Sequence, residues 1–243
     1  MVDRTKLRLL LAAPLLLCAA AAALWGRDAL QRISWFEVQR VEVSGVRLLA
    51  PHEVLAASRI RHGQSVWADP VAWEAALREH PLVMGARISR RLPHTLRIRV
   101  EEERPVALLD AGRLRPATAE GALLPLDPAR IALDLPLVRA REAAAAAGLG
   151  VGAEARSLLA ETGRLAQLDP ALVARISEVR GTDTGELLLL LTHPAAEVVL
   201  PVGASSLRLR QLRSVLEELE RRSAGEAPPR LDLRFADQVV VRD

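Results

Sequence analysis

The chain has 243 residues, of which 50% are hydrophobic and 26% are charged. This is the balance of a globular protein, and the length fits one large domain or two small ones. Its 33 basic and 30 acidic residues leave a net charge of only +3, which is a small excess for a nucleic-acid-binding protein. The single cysteine, Cys18, excludes a disulfide within the chain and a zinc site built from several cysteines.

An uncharged apolar run lies close to the N-terminus, at residues 9–25. At about 1.5 Å per helical residue, this run approaches the length that spans a bilayer. Arg4, Lys6 and Arg8 precede it, so the positive-inside rule places that end in the cytoplasm and the C-terminus outside. A cleaved signal peptide is the alternative, but its apolar region is usually shorter. The pattern favours a retained signal anchor in the cytoplasmic membrane.

The next segment predicts a small α+β domain in the order strand, helix, helix, strand, strand. The first strand is predicted at residues 37–43. Asp69 followed by Pro70 opens the second helix, because an aspartate cap before proline is typical of a helix start. Val71 and Leu77 of that helix are expected to face the core. Two helices that cover one face of a small sheet make an α+β domain.

The last strand of this domain alternates cleanly between apolar and charged residues. Leu96, Ile98 and Val100 are expected to face inward, with Arg97 and Arg99 outward. The outward face is therefore basic, with Arg87 on it and with Arg90 and Arg91 nearby. Such a face can dock an acidic partner or anionic lipid, and a solvated strand face is the simpler explanation.

The second half of the chain, residues 106–243, is predicted to be β-rich with two helices. Hydrophobic periodicity places the helices at 153–168 and 206–220. Leu158, Leu165 and Leu168 are expected to be the inward positions of the first helix. Strands are expected at 173–179, 186–191 and 197–200, with a hairpin-like region at 231–241.

Several short pieces of sequence occur in a characteristic order directly after the predicted anchor. In the first half they are Val41–Gly45, Gly63–Val66, Pro81–Val83, Ala86–Ile88, Arg91–Glu102 and Pro105–Ala107. With them, residues 37–109 resemble a POTRA domain of the FtsQ/DivIB cell-division family. The second half resembles the β domain of that family through Ile176–Val179, Glu197–Leu200, the leucine-rich helix and Leu231–Phe235.

The resemblance implies a membrane protein of five segments. These are a cytoplasmic tail at 1–8, a transmembrane signal anchor at 9–25, a linker at 26–36, a POTRA domain at 37–105 and a β domain at 106–243. It further implies a single-pass type II protein of the inner membrane at the division septum. The implied function is that of a divisome scaffold that binds FtsB and FtsL, binds other division proteins through its POTRA domain, and links them to septal peptidoglycan synthesis.

Two other classes of function are alternatives. A POTRA-bearing outer-membrane assembly or secretion factor usually carries many alternating segments of about ten residues, a pattern that these residues lack. An enzyme would need a catalytic constellation, and His52-Glu53 begins a zinc-protease motif whose second histidine is replaced by Ala56. The sequence therefore predicts a protein with no catalytic residues, cofactor or metal.

The partner site is predicted in the last strand candidate, residues 235–242. The final strand of a sheet is often an edge, and its unpaired backbone groups can accept a strand from another chain. Val240 lies in this strand. The resemblance implies that FtsB binds near Phe235, which stands where the family commonly has tyrosine. The further contacts that it implies are Arg234, Asp237 and Gln238.

Overall fold

The structure is a computed structural model, in which residues 30–31, 33–129, 131, 133–141, 150–222, 228–235 and 238–242 are described. The predicted anchor at 9–25 lies outside these ranges. Within them, no helix has both the length and the apolar character needed to cross a membrane. The chain divides into two compact units, with the boundary between Glu103 and Arg104.

In its described part the first unit contains a short 3₁₀ helix at Ser34–Phe36, followed by three strands and two α-helices in the predicted order. Their bounds are β1 Arg40–Ser44, α1 Pro51–Ser58, α2 Pro70–Arg78, β2 Val83–Arg91 and β3 Thr95–Glu102. The strands lie in the order β1-β3-β2. β3 is central because it pairs in parallel with β1 and antiparallel with β2.

The second helix of this unit begins where the sequence predicts it. The Asp69 carboxylate accepts a hydrogen bond from the backbone N–H of Val71 at 3.2 Å, and Pro70 is the first helical residue. The buried positions are Trp73, Ala76 and Leu77. The prediction for Val71 is wrong, since its side chain is 61% exposed. Two residues turn a helix by about 200°, so Val71 points away from the side that buries Trp73.

The alternation predicted for β3 is confirmed. Leu96 and Ile98 are fully buried and Val100 nearly so, whereas Arg97 and Arg99 are exposed. The inward side chains form the core between the sheet and the two helices.

A charge on the inward face of β3 should therefore be far more destabilising than a charge on the outward face. Ile98→Asp would bury an unpaired carboxylate and is expected to lower the free energy of unfolding by more than about 3 kcal/mol. Arg99→Asp, one residue away, places its carboxylate opposite Arg87 and should change stability by less than about 1 kcal/mol. Urea unfolding of the two variants tests the register, and equal midpoints would contradict it.

The second unit is built on one long mixed sheet. In the described residues its strands are β4 Ala107–Asp110, β5 Leu114–Ala117, β6 Leu137–Arg139, β7 Ile176–Gly181, β8 Leu187–Thr192, β9 Ala195–Leu200, β10 Arg230–Asp232 and β11 Val240–Arg242. Its helices are α3 Ala153–Leu168, α4 Pro170–Val173 and α5 Ser206–Arg222. The strand order is β11-β10-β9-β8-β7-β6-β4-β5.

The two long helices supply most of the core that packs against this sheet. Leu158, Leu159 and Leu165 of α3 are buried, as are Leu209, Leu212 and Leu216 of α5. The α3 bounds agree with the prediction, but Leu168 in its last position is 47% exposed. The four-residue helix α4 was not predicted and occupies the start of the expected strand at 173–179. That strand, β7, begins only at Ile176.

Candidate partner-binding edge

The two ends of the long sheet differ in how their backbone groups are satisfied. At one end, β5 is covered by the chain that follows it. The N–H of Leu124 donates to the Pro116 carbonyl at 2.8 Å, and the N–H of Thr118 donates to the Ala122 carbonyl at 2.9 Å. At the other end, β11 pairs with β10 alone among the described strands. Among the residues that the structure describes, β11 is therefore the open edge of the sheet.

The direction of the backbone groups in β10 follows from its bonds to β9. The N–H of Leu233 donates to the Val199 carbonyl at 2.9 Å, and the N–H of Glu197 donates to the Pro229 carbonyl at 3.0 Å. Odd-numbered residues of β10 therefore direct their N–H and C=O groups toward β9. Even-numbered residues, such as Asp232, direct theirs toward β11.

This alternation in β10 determines which backbone N–H and C=O groups of β11 point away from the sheet. Asp232 lies opposite Val240, and Arg230 lies opposite Arg242. Val240 and Arg242 therefore use their backbone groups within the sheet. Val241 directs its N–H and C=O away from β10, toward the open edge. Val241 was not among the predicted site residues, because its outward orientation depends on the pairing of β10 with β9.

The predicted site residues lie together at the end of the chain, as far as the structure describes them. Phe235 is 46% exposed, as is Val241. Gln238 is exposed and Val240 is partly buried. Asp237 lies outside the described residues. An exposed aromatic side chain in the segment that leads from β10 to the edge strand is a suitable anchor for a partner chain.

Arg234 is held by carboxylates of its own chain. The Asp232 carboxylate accepts hydrogen bonds from the Arg234 backbone N–H at 3.1 Å, from its Nε at 2.9 Å and from its Nη2 at 2.6 Å. Arg234 Nη1 lies 3.9 Å from Glu186 Oε1. The hydrogen bonds from Arg234 lower the pKa of Asp232, although its burial acts in the opposite direction. The network fixes the turn that leads from β10 to Phe235, and a contact between Arg234 and a partner stays a prediction.

The Asp232 network should make stability depend on pH. Because its folded pKa is lowered, Asp232 stabilises the fold fully above its unfolded pKa, near 4, and this contribution is lost as the pH falls through the folded value. At pH 7, Asp232→Asn should reduce the free energy of unfolding by about 1–3 kcal/mol, and the difference from the unmutated chain should shrink below about pH 4. Urea unfolding of the variant and of the unmutated chain, at pH 7 and below about pH 4, measures this difference in stability.

The matched control is Asp183→Asn. Asp183 also pairs with an arginine, Arg141, at 2.9 Å, but its side chain is 96% exposed. An exposed pair of this kind contributes little, so the control should behave like the unmutated chain at both pH values. An equal loss in the two variants would contradict the assigned role of Asp232.

The open edge is also basic. Arg230 and Arg242 lie directly opposite each other, and Arg230 approaches Glu197 only to 4.0 Å. Like charges on opposite strands are unfavourable in the free sheet, and an acidic partner strand would reduce this repulsion.

In the described ranges, no three His, Cys, Asp or Glu residues are grouped so that they could hold a metal ion.

Comparison with known proteins gives consistent results for both units. Residues 36–103 match the family model described as the POTRA domain, FtsQ-type. The cell division protein FtsQ of Myxococcus fulvus is 32% identical over 217 residues, covering 86% of this chain and 76% of the relative. The cell division protein FtsQ of Rhodothermus marinus is 32% identical over 252 residues, covering 100% of this chain and 88% of the relative.

The chain belongs to the FtsQ family of bacterial cell-division proteins. Membership in the FtsQ family supports a role in the divisome and confirms the resemblance found in the sequence. It also confirms the α+β arrangement of a POTRA domain followed by a β-rich region. Among solved structures, the extracytoplasmic domain of the division protein DivIB from Geobacillus stearothermophilus matches with a TM-score of 0.32 and 21% identity, covering 51% of this chain and 99% of that one.

Proposed function

We propose that this protein is a non-catalytic scaffold of the divisome that binds FtsB through the open edge at β11. In this proposal the FtsB chain adds a strand beside β11, with FtsL held in the same assembly. The scaffold thereby links these partners to septal peptidoglycan synthesis. The observation that carries the proposal is the outward N–H and C=O of Val241 at the open end of an otherwise paired sheet.

The location of the protein is part of the same proposal. Residues 9–25 anchor the chain in the inner membrane with its N-terminus in the cytoplasm, and both folded units lie outside the cytoplasm. This topology supports the proposed partner site, because a scaffold anchored in the inner membrane presents the β11 edge to proteins that act on the septal wall.

The choice of edge rests on the difference between the two ends of the sheet. On the outward side of β5 the Pro116 carbonyl accepts a hydrogen bond from the Leu124 N–H, and Pro116 itself carries no N–H. The outward groups of Val241 have no such cover in the described chain. Phe235 adds an exposed aromatic side chain in the segment between β10 and β11. Backbone bonds would supply affinity at this edge, and the aromatic and basic side chains would supply specificity.

Substitution of Val241 tests directly whether its outward N–H contributes to FtsB binding. Val241→Pro removes the outward donor, and proline is tolerated where the N–H of an edge strand faces solvent. We expect the dissociation constant for FtsB, measured with the full chain in detergent and immobilised FtsB, to rise at least about tenfold, equivalent to about 1.4 kcal/mol. Phe235→Ala should weaken binding as well, because it removes the exposed aromatic anchor.

Two controls separate partner binding from folding. Val240→Pro removes a bond within the sheet, so it should lower the melting temperature as well as the affinity, whereas Val241→Pro should affect the affinity alone. Leu114→Ala removes a side chain that is also 46% exposed but lies on β5, and it should bind FtsB normally. Unchanged affinity in both Val241→Pro and Phe235→Ala would place the partner site elsewhere.

A further inference from the structure

The sheet of the first unit has one face that its helices leave uncovered, and this face is rich in arginine. In the described residues the strand register places five arginines and two glutamates on it, an excess of three positive charges. The glutamates are Glu42 and Glu101. The arginines, which we call the arginine face, are Arg40, Arg87, Arg91, Arg97 and Arg99.

Arg90, which the sequence placed near this face, belongs to the other side of the sheet. Its Nε donates to the Val66 carbonyl at 2.6 Å, and its Nη2 donates to the Ala68 carbonyl at 3.1 Å. Its guanidinium carbon lies 5.5 Å from the centroid of the Trp67 ring. Arg90 is thus a packing residue of the POTRA unit and takes no part in the arginine face.

The charges of the arginine face are only partly neutralised within the unit. Glu42 pairs with Arg91 at 3.1 Å and with Arg97 at 3.2 Å. Arg87 and Arg99 are exposed and lie directly opposite each other. No ion pair joins either of them to another residue in the described chain. Like charges in this position destabilise a sheet, and an anion docked between them would remove the repulsion.

The position of the face in the chain indicates which anion it meets. Arg40 begins β1 and Arg91 ends β2, and both lie opposite Thr95. One end of the face is therefore the end at which the chain enters the sheet. The proposed anchor ends at residue 25, so the 14 residues before Arg40 span at most about 50 Å when extended. This short tether keeps the face near the membrane surface.

Trp35 lies in the tether and is the most exposed large apolar side chain in the described residues, at 69%. Tryptophan is enriched at the membrane–water interface, where its ring can sit at headgroup level. Phe36, by contrast, packs edge-on against Trp67 with the ring centroids 5.9 Å apart. The tether thus joins the POTRA unit through Phe36 and leaves Trp35 available to lipid.

We propose that the arginine face docks on anionic phosphate headgroups of the membrane in which the protein is anchored. This inference rests on the anchor in the proposed function and adds a second contact with the same membrane. A guanidinium matches the geometry of a phosphate and binds it through two parallel hydrogen bonds. Docking in this way would set the orientation of the POTRA unit relative to the membrane.

Vesicle binding by the full chain tests the proposal without FtsB. The protein is placed in nanodiscs of phosphatidylcholine and mixed with vesicles of phosphatidylcholine alone or with added phosphatidylglycerol, and bound protein is measured by flotation. The protein should float with the anionic vesicles only, and raised salt should release it. The double variant Arg87→Gln/Arg99→Gln should lower the partition coefficient about 30-fold, equivalent to about 2 kcal/mol.

The control removes the same charge elsewhere. Arg61 and Arg113 are exposed and lie in loops outside the arginine face, so Arg61→Gln/Arg113→Gln should retain binding to anionic vesicles. An equal loss in both double variants would show general attraction by net charge and overturn the proposal. Absence of any preference for phosphatidylglycerol would overturn it too and would favour an acidic protein as the occupant. The assay contains no FtsB, so its failure is distinct from failure at the β11 edge.

Discussion

Backbone hydrogen bonding between neighbouring strands is the constraint on which both units depend. Each strand has two sets of N–H and C=O groups, and a buried sheet must satisfy both. At the outer side of β2, the Ile88 N–H donates to a Glu74 carboxylate oxygen at 2.7 Å. At β5, the following chain folds back to pair with it. The outward groups of Val241 have no comparable cover in the described residues, and the proposed function follows from that difference.

The arginine side chains on these two sheets have two different roles. Arg234 makes several hydrogen bonds to Asp232, and Arg90 donates to the Val66 and Ala68 carbonyls, so both hold segments of backbone in place. Arg87 and Arg99 have no ion-pair partner among the described residues and are repelled by each other. Guanidinium groups remain charged at any physiological pH, so this repulsion persists unless an external anion offsets it. The same residue type therefore supports the fold in one place and offers a binding surface in another.

The pattern of neighbouring residues in the sequence predicted those helices and strands that are determined by residues close together in the chain. The alternation around Ile98 identifies β3 and its buried face, the Asp69-Pro70 pair marks the start of α2, and leucine spacing gives α3 its observed bounds. Elements that depend on distant partners were missed. β6 has three residues and is held by parallel pairing with β4 and β7, and α4 is too short to show a helical period. The outward orientation of Val241 required the register of β9, β10 and β11, which no local pattern contains.

The central claim is that the outward backbone of Val241 bonds to a partner strand. Site-resolved amide hydrogen exchange of the full chain, with and without saturating FtsB, measures this most directly. In the free protein the N–H of Val241 should exchange quickly while that of Val240 is protected by β10. Added FtsB should protect Val241 and leave Val240 unchanged. Saturation with FtsB without any slowing of exchange at Val241 would contradict the account.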